Sequence, residues 1–220
     1  MEVHELAAGL WSWTARHPDW APGHRWDADV RCFYVEAADV TLVVDPLVPH
    51  DDAARFWTAL DHDVERRALP VAVLLTQAAH ARSAGEVARR YGATVWGHQY
   101  AHEKVGGAPY HALEPGDAAP GAARALEFDQ EPGGSGTPLY FPSHRAVAVG
   151  DVFISVDGEL RVWWAHGASG EQWYRERLLP SLRTWLDLPI EHVLVSHGDA
   201  VRGGADEIAA ALERAPYDVA

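Results

Sequence analysis

The chain has 220 residues, 48% of them hydrophobic, enough to bury one sizeable core. Its formal net charge of −14 would repel a phosphate backbone or an anionic membrane surface over most directions of approach. Nucleic acid and membrane are therefore excluded as expected partners, which leaves a small-molecule ligand or substrate.

Cys32 is the one cysteine, so there is no internal disulfide and no thiolate cluster for a structural zinc, which fits a reducing cytoplasm. The N-terminus has no basic lead followed by an apolar core, and no run reaches the roughly 18 apolar residues of a membrane span. A soluble, cytoplasmic, single α/β domain over residues 1–220 is the expectation. Ten tryptophans are many for this length. They serve either core and loop packing or an aromatic-walled pocket or interface.

Taken in order, Glu2 to Trp13 reads as an edge strand, and Thr14 to Asp29 as a loop rich in Trp, His and Pro that could fold over a pocket. Val30 to Glu36 and Val40 to Asp45 form a hairpin whose second strand, VTLVVDP, is nearly all β-branched and stops at Asp45-Pro46. Asp51 to Leu60 has helical spacing with an acidic first turn. Val71 to Leu75 is an apolar strand ending at Thr76. The loop that follows contains Gln77, His80 and Arg82, and Ser83 is a plausible N-cap for the helix to Tyr91, with Glu86 three residues on and Gly92 ending it.

Ala93 to Gly97 completes a β-α-β unit that should be parallel and right-handed. Ala101 to Gly121 is assigned to loops, and Ala123 to Glu131 to a strand. TPLYFPSHRAVAVGDVF forms two strands joined at Pro142-Ser143-His144, the second stopping at Gly150-Asp151. Glu159 to Trp164 alternates as a short strand. Glu171 to Leu186 reads as an amphipathic helix broken at Pro180, His192 to Ser196 as the last strand before His197-Gly198, and Ala205 to Arg214 as a terminal helix.

Asp45, the Gln77 to Ser83 loop, Asp151 and His197 all lie just past the C-terminal ends of apolar strands, where α/β proteins place their chemistry. Singly, each has a plain structural account: Asp45 as a turn former before proline, Asp151 in an Asx-turn, His197 as a satisfied loop histidine. Their common placement is what points to a site. Ser83 could be a nucleophile beside His80, though capping explains it more simply. His144 and Trp163 are further candidates for the pocket, with His17, Trp20, Trp164 and His166 behind them.

The order VTLVVDP, VLLTQ-loop-helix, VAVGDVF and VLVSHGD resembles the metallo-β-lactamase fold of glyoxalase II-like hydrolases, lactonases and β-lactamases. The resemblance covers nearly the whole chain and implies a four-layer αββα sandwich. In that family an HxHxDH motif, a later GH, a GD aspartate and a final GHG-like histidine hold two zinc ions that activate a hydroxide.

Here the motif positions fall on Gln77, Ala79, Ala81 and Arg82, and the GH on Gly133-Gly134. Asp151 and His197 alone match. Methyl groups and a guanidinium donate no lone pair to a metal, so the ordinary two-zinc site cannot assemble. His80, Asp151 and His197 remain as three ligands for one divalent metal in principle, although no cofactor is expected. Alternatively His80 is a catalytic or substrate-contacting imidazole, or simply a loop residue.

Arg82 stands beside the bridging-aspartate position and could pair with Asp151 in place of the missing cation, or lie exposed in the first helical turn. The resemblance thus implies a hydrolase-like protein with a degenerate metal site acting on a small ester, thioester or lactone. His80, Arg82, Asp151 and His197 would be its catalytic set, and Asp45, Gln77, Ser83, His144 and Trp163 would line its pocket. The other function in view is a non-catalytic ligand-binding or regulatory module on the same scaffold.

Overall fold

Alternation along the strands assigns their side chains to three separate cores, and the three cores define four layers. The computed structural model describes residues 1–164 and 170–218, and the candidate His166 lies outside the described residues. In strand β4 (Thr41–Val44), Val43 joins one core while Leu42 and Val44 join a second. Strand β5 (Val71–Leu74) repeats this with Val73 against Ala72 and Leu74. In strands β10 (Ala146–Gly150) and β13 (His192–Val195), Ala146, Ala148 and Leu194 face that same second core. Val147, Val149, Val193 and Val195 face a third. A period of two is what a sheet buried on both faces requires.

The first core packs helices α1 (Ala53–Arg67) and α2 (Ala84–Tyr91) on the first sheet, through Phe56, Leu60, Val87 and Ala88. The second lies between the sheets, with Phe33, Leu74, Leu139 and Phe141 at 1% exposure or less. The third packs Leu182, Trp185, Ile208 and Leu212 against the second sheet. Each fully buried Leu, Val or Phe contributes about 1.5–3 kcal/mol against leaving it in water, so the four-layer αββα sandwich is held by hydrophobic burial on three levels.

The first sheet has seven strands in the order β1 to β7, namely Val3–Ala7, Leu10–Arg16, Asp29–Glu36, β4, β5, Thr94–Gly97 and Tyr110–Ala112. It is antiparallel through β4 and parallel from β4 to β7. Strands β8 (Arg124–Ala125) and β9 (Leu139–Phe141) join β10, β13 and β14 (Val201–Arg202) in a five-stranded sheet ordered β14-β13-β10-β9-β8. Strands β11 (Phe153–Val156), β12 (Glu159–Trp164) and β15 (Tyr217–Asp218) form a third, small sheet. Because β4, β5, β10 and β13 run parallel to one another within their sheets, their C-terminal ends gather at one edge.

Several expected elements differ. Glu2 to Trp13 is two strands, β1 and β2, which turn at Gly9 with φ +77. The strand expected over Ala123 to Glu131 is reduced to Arg124–Ala125. The stretch expected as one helix from Glu171 is α3 (Gly170–Trp173), a π-helical turn over Tyr174–Leu178, then α4 (Leu179–Arg183), so the helical spacing changes just before Pro180. The terminal helix α5 is Gly204–Glu213. Among the described residues no helix is long and apolar enough to cross a membrane.

Candidate functional site

The site is built on a buried carboxylate. Asp45 ends β4 with φ +48 and is 1% exposed. That left-handed backbone turns its side chain toward the end of β5, where Oδ1 accepts from the Thr76 N–H at 2.8 Å and Oδ2 accepts from the Thr76 hydroxyl. Oδ2 also lies 3.0 Å from His80 Nδ1. His80 sits in the 3₁₀ turn Ala78–Ala81 and is itself 2% exposed. Its other ring nitrogen, Nε2, lies 3.2 Å from Asp151 Oδ1, and His197 Nε2 lies 3.5 Å from that same oxygen. Two carboxylates thus bracket one imidazole, and a second imidazole closes the far side.

Two glycines make this approach possible. Gly150 has φ +56, and a Cβ there would meet Thr76 Oγ1 at 2.8 Å, so only glycine lets β10 deliver Asp151 over the end of β5. Gly198 has φ +84 and a Cβ would strike the Ser155 carbonyl at 2.0 Å. The loop after β13 is fixed further by Ser155 N–H donating to the His197 carbonyl and by Arg31 Nε donating to the Gly198 carbonyl, both at 3.1 Å. Arg31 also holds Asp199 at 2.6 Å.

Burial and the Arg82 guanidinium work against a proton on His80, but Asp151 and Asp45 outweigh them and hold its pKa above the ordinary histidine range. Burial likewise opposes ionisation of Asp151, yet the charge of His80 and the hydrogen bond from His197 keep its carboxyl well below the usual carboxylate range. Burial lowers the pKa of His197, with Asp151 only partly offsetting it. The surroundings therefore favour a proton on His80 and an ionised Asp151, and disfavour a proton on His197.

Arg82 does not form the pair expected with Asp151: among the described residues no carboxylate lies within ion-pair distance of it, and its Nε and Nη1 are buried without hydrogen-bond partners. Its backbone lies at φ +25 and ψ −110, and its charge acts on Cys32, His80 and His197. Ser83 makes no hydrogen bond to His80 among the described residues. Its Oγ accepts from the Val48 N–H at 3.0 Å, and it makes no side-chain cap, leaving its carbonyl to start α2. His144 lies away from the site, at the turn after β9, bonded to Ser143 and packed on Gly9. Asp45 stands behind His80 and does not line a cavity wall.

A cavity of about 210 Å³ opens on Asp151, and its lining includes Gln77 and Trp163. Trp163 packs on His197 with ring centroids 4.7 Å apart, and Trp26 packs on the same ring at 5.0 Å. In the loop expected to cover the site it is therefore Trp26 that touches it. Nothing in the sequence ranks Trp26 above Trp20, since one loop contains both.

The spacings bear on a metal. A tetrahedral ion held at about 2.0 Å places its donor atoms roughly 3.3 Å apart, which suits the 3.2 and 3.5 Å separations around Asp151 Oδ1. The three donor atoms of His80, Asp151 and His197 lie within 4.8 Å of one another, and Asp45 behind His80 Nδ1 is the outer carboxylate that metal-bound histidines commonly have. The donor set fits one divalent ion. It does not fit two, because Ala79, Ala81 and Gly134 offer no side-chain donor and Arg82 offers only N–H groups.

No family model matches the sequence, and no curated protein does. Solved structures do. DIM-1 metallo-β-lactamase is similar with a TM-score of 0.65 at 13% identity, over 96% of both chains. The metallo-β-lactamase family protein TTHA1429 from Thermus thermophilus gives 0.60 at 19%, over 95% of this chain and 78% of that one. The Flv1 flavodiiron core from Synechocystis sp. PCC6803 gives 0.66 at 16%, over 96% of this chain, which spans 60% of the Flv1 core. With the layers, strand order and site edge already described, these likenesses establish that the chain has the metallo-β-lactamase fold.

Proposed function

We propose that this protein is a hydrolase acting on a small acyl compound, an ester, thioester or lactone, through a centre made of His80, Asp151 and His197 that never contains two metal ions. The observation that supports it is the convergence of His80 Nε2 and His197 Nε2 on Oδ1 of Asp151, a residue that lines a cavity. Loop residues that only stabilise a turn have no cause to meet in this way.

Asp151 is the member of the set that faces the cavity, so it orients a water against an acyl carbonyl. His80, held from behind by Asp45 and set against Asp151, is the general acid-base group that exchanges a proton with the reacting oxygens. His197 and the Trp163 and Trp26 rings on it keep that edge of the centre dry. Arg82 acts by its field, because its Nε and Nη1 are closed off from a ligand. One divalent ion on His80, Asp151 and His197 would polarise the acyl carbonyl or acidify a water when bound.

The test is turnover of a panel of nitrophenyl esters, thioesters and lactones by the wild type and by His80→Ala. A loss of roughly 100-fold or more in kcat, with an unchanged circular dichroism spectrum, is expected for removal of a general acid-base group. Turnover unaffected by His80→Ala would overturn this centre, and a wild type that binds members of the panel and turns over none would favour the binding module instead.

A further inference from the structure

The cavity over Asp151 has a chemistry of its own. Three of its walls are indoles, Trp163, Trp164 and Trp173, each half-buried and so presenting ring surface. Its polar lining includes Asp151 and Glu131, and no lysine, arginine or histidine lines it among the described residues. A third carboxylate, Asp129, is already neutralised by Arg177 at 2.7 Å. Glu131 is not: its Oε1 is buried and without a hydrogen-bond partner.

A carboxylate on a cavity wall with no cationic side chain beside it favours a cationic ligand there. Indole faces attract cations through their quadrupole and repel anions, and a cation held between indoles and a carboxylate is stabilised by both. The wall bearing Glu131 is also fixed in place. Gln130 bonds both the N–H and the carbonyl of Gly136, at 2.7 and 2.9 Å, and Ala78 N–H donates to the Ser135 carbonyl at 3.2 Å. The loop from 130 to 136 is thereby stitched to the strand end that leads to His80.

We propose that this cavity binds an organic ammonium ion, quaternary or protonated, so that the substrate is an acyl compound with a cationic amine on one side of the scissile bond. The ammonium group sits among Trp163, Trp164, Trp173 and Glu131, and the acyl carbon is presented to Asp151. This assignment of substrate class rests on the proposed hydrolase centre, while the binding of the ammonium ion stands without it.

Binding is measured by quenching of tryptophan fluorescence with choline and butylammonium, against the neutral isostere 3,3-dimethylbutan-1-ol and against acetate. At least one of the two cations is expected to quench saturably and to bind roughly ten-fold more tightly than the neutral isostere, with acetate not binding. Glu131→Gln is expected to remove that preference, and Trp173→Leu, which leaves the acidic group in place, to weaken the cation with its fold intact by circular dichroism.

His80→Ala is expected to bind the cation as the wild type does. Equal affinity for the neutral isostere, tighter binding of acetate, or no saturable binding of either cation overturns the inference. Choline binding together with no hydrolysis of a choline ester by the wild type would leave the cavity assignment standing and overturn the hydrolase centre alone.

Discussion

Asp45 shows how much one side chain can organise. It serves the Thr76 N–H, the Thr76 hydroxyl and the His80 ring at once, from a position 1% exposed. Asp45→Ala would remove the carboxylate behind His80 Nδ1 and leave the buried Thr76 N–H without its partner. A loss of about 3 kcal/mol or more in urea unfolding is expected, and a loss below about 1 kcal/mol would show that the array is not held from this side. Cys32 offers a second check at this scale. Burial pushes its thiol up to about 12, and its Sγ accepts from the Leu47 N–H at 3.3 Å. The native protein is expected to resist a thiol-labelling reagent at pH 8 and to react once unfolded in urea; rapid labelling of the folded chain would mean that the Arg82 side of the core is open.

Among single residues, the sequence revealed the candidates better than their roles. Asp151 and His197 were legible because each follows an apolar strand and abuts a glycine. Arg82 was legible as a charge near the site but not as one unpaired with Asp151, because its placement depends on a backbone at φ +25 that no spacing announces. His144 looked similar to the others in sequence, and only the turn after β9 shows that it belongs to a different edge.

At the level of elements, strands buried on both faces carried the clearest signal, since continuous apolar runs such as VTLVV and VAVLL have one stable use. Elements with mixed exposure were harder: β1 and β2 run together in sequence because nothing but Gly9 marks their turn, and the π-helical turn within 174–178 leaves the apolar spacing nearly unchanged. Two substitutions test the element ends.

Ala68 closes α1 at φ +51 with its N–H on the Val64 carbonyl, a left-handed position that suits glycine. Ala68→Gly is expected to raise stability by about 0.5–1 kcal/mol, and a destabilised variant would show that the helix end is differently formed. Gly198→Ala, in contrast, drives a methyl group into the Ser155 carbonyl. It is expected to cost about 2 kcal/mol or more and to reduce turnover by moving His197, and a silent substitution would contradict the placement of that loop.

For the whole molecule, the fold is shared with solved structures at 13–19% identity, and in this chain three apolar cores hold it. The cores depend on no metal ligand, so treatment with a chelator is expected to leave the secondary structure intact. The motif positions that the family resemblance assigns to a two-ion centre fall on Gln77, Ala79, Ala81, Arg82 and Gly134, while His80, Asp151 and His197 are brought within 4.8 Å. The most direct measurement is therefore metal content per chain by elemental analysis, after expression with added zinc, manganese and iron and exhaustive dialysis. No more than one equivalent of divalent metal is expected; two equivalents, lost together on His197→Ala, would contradict the account.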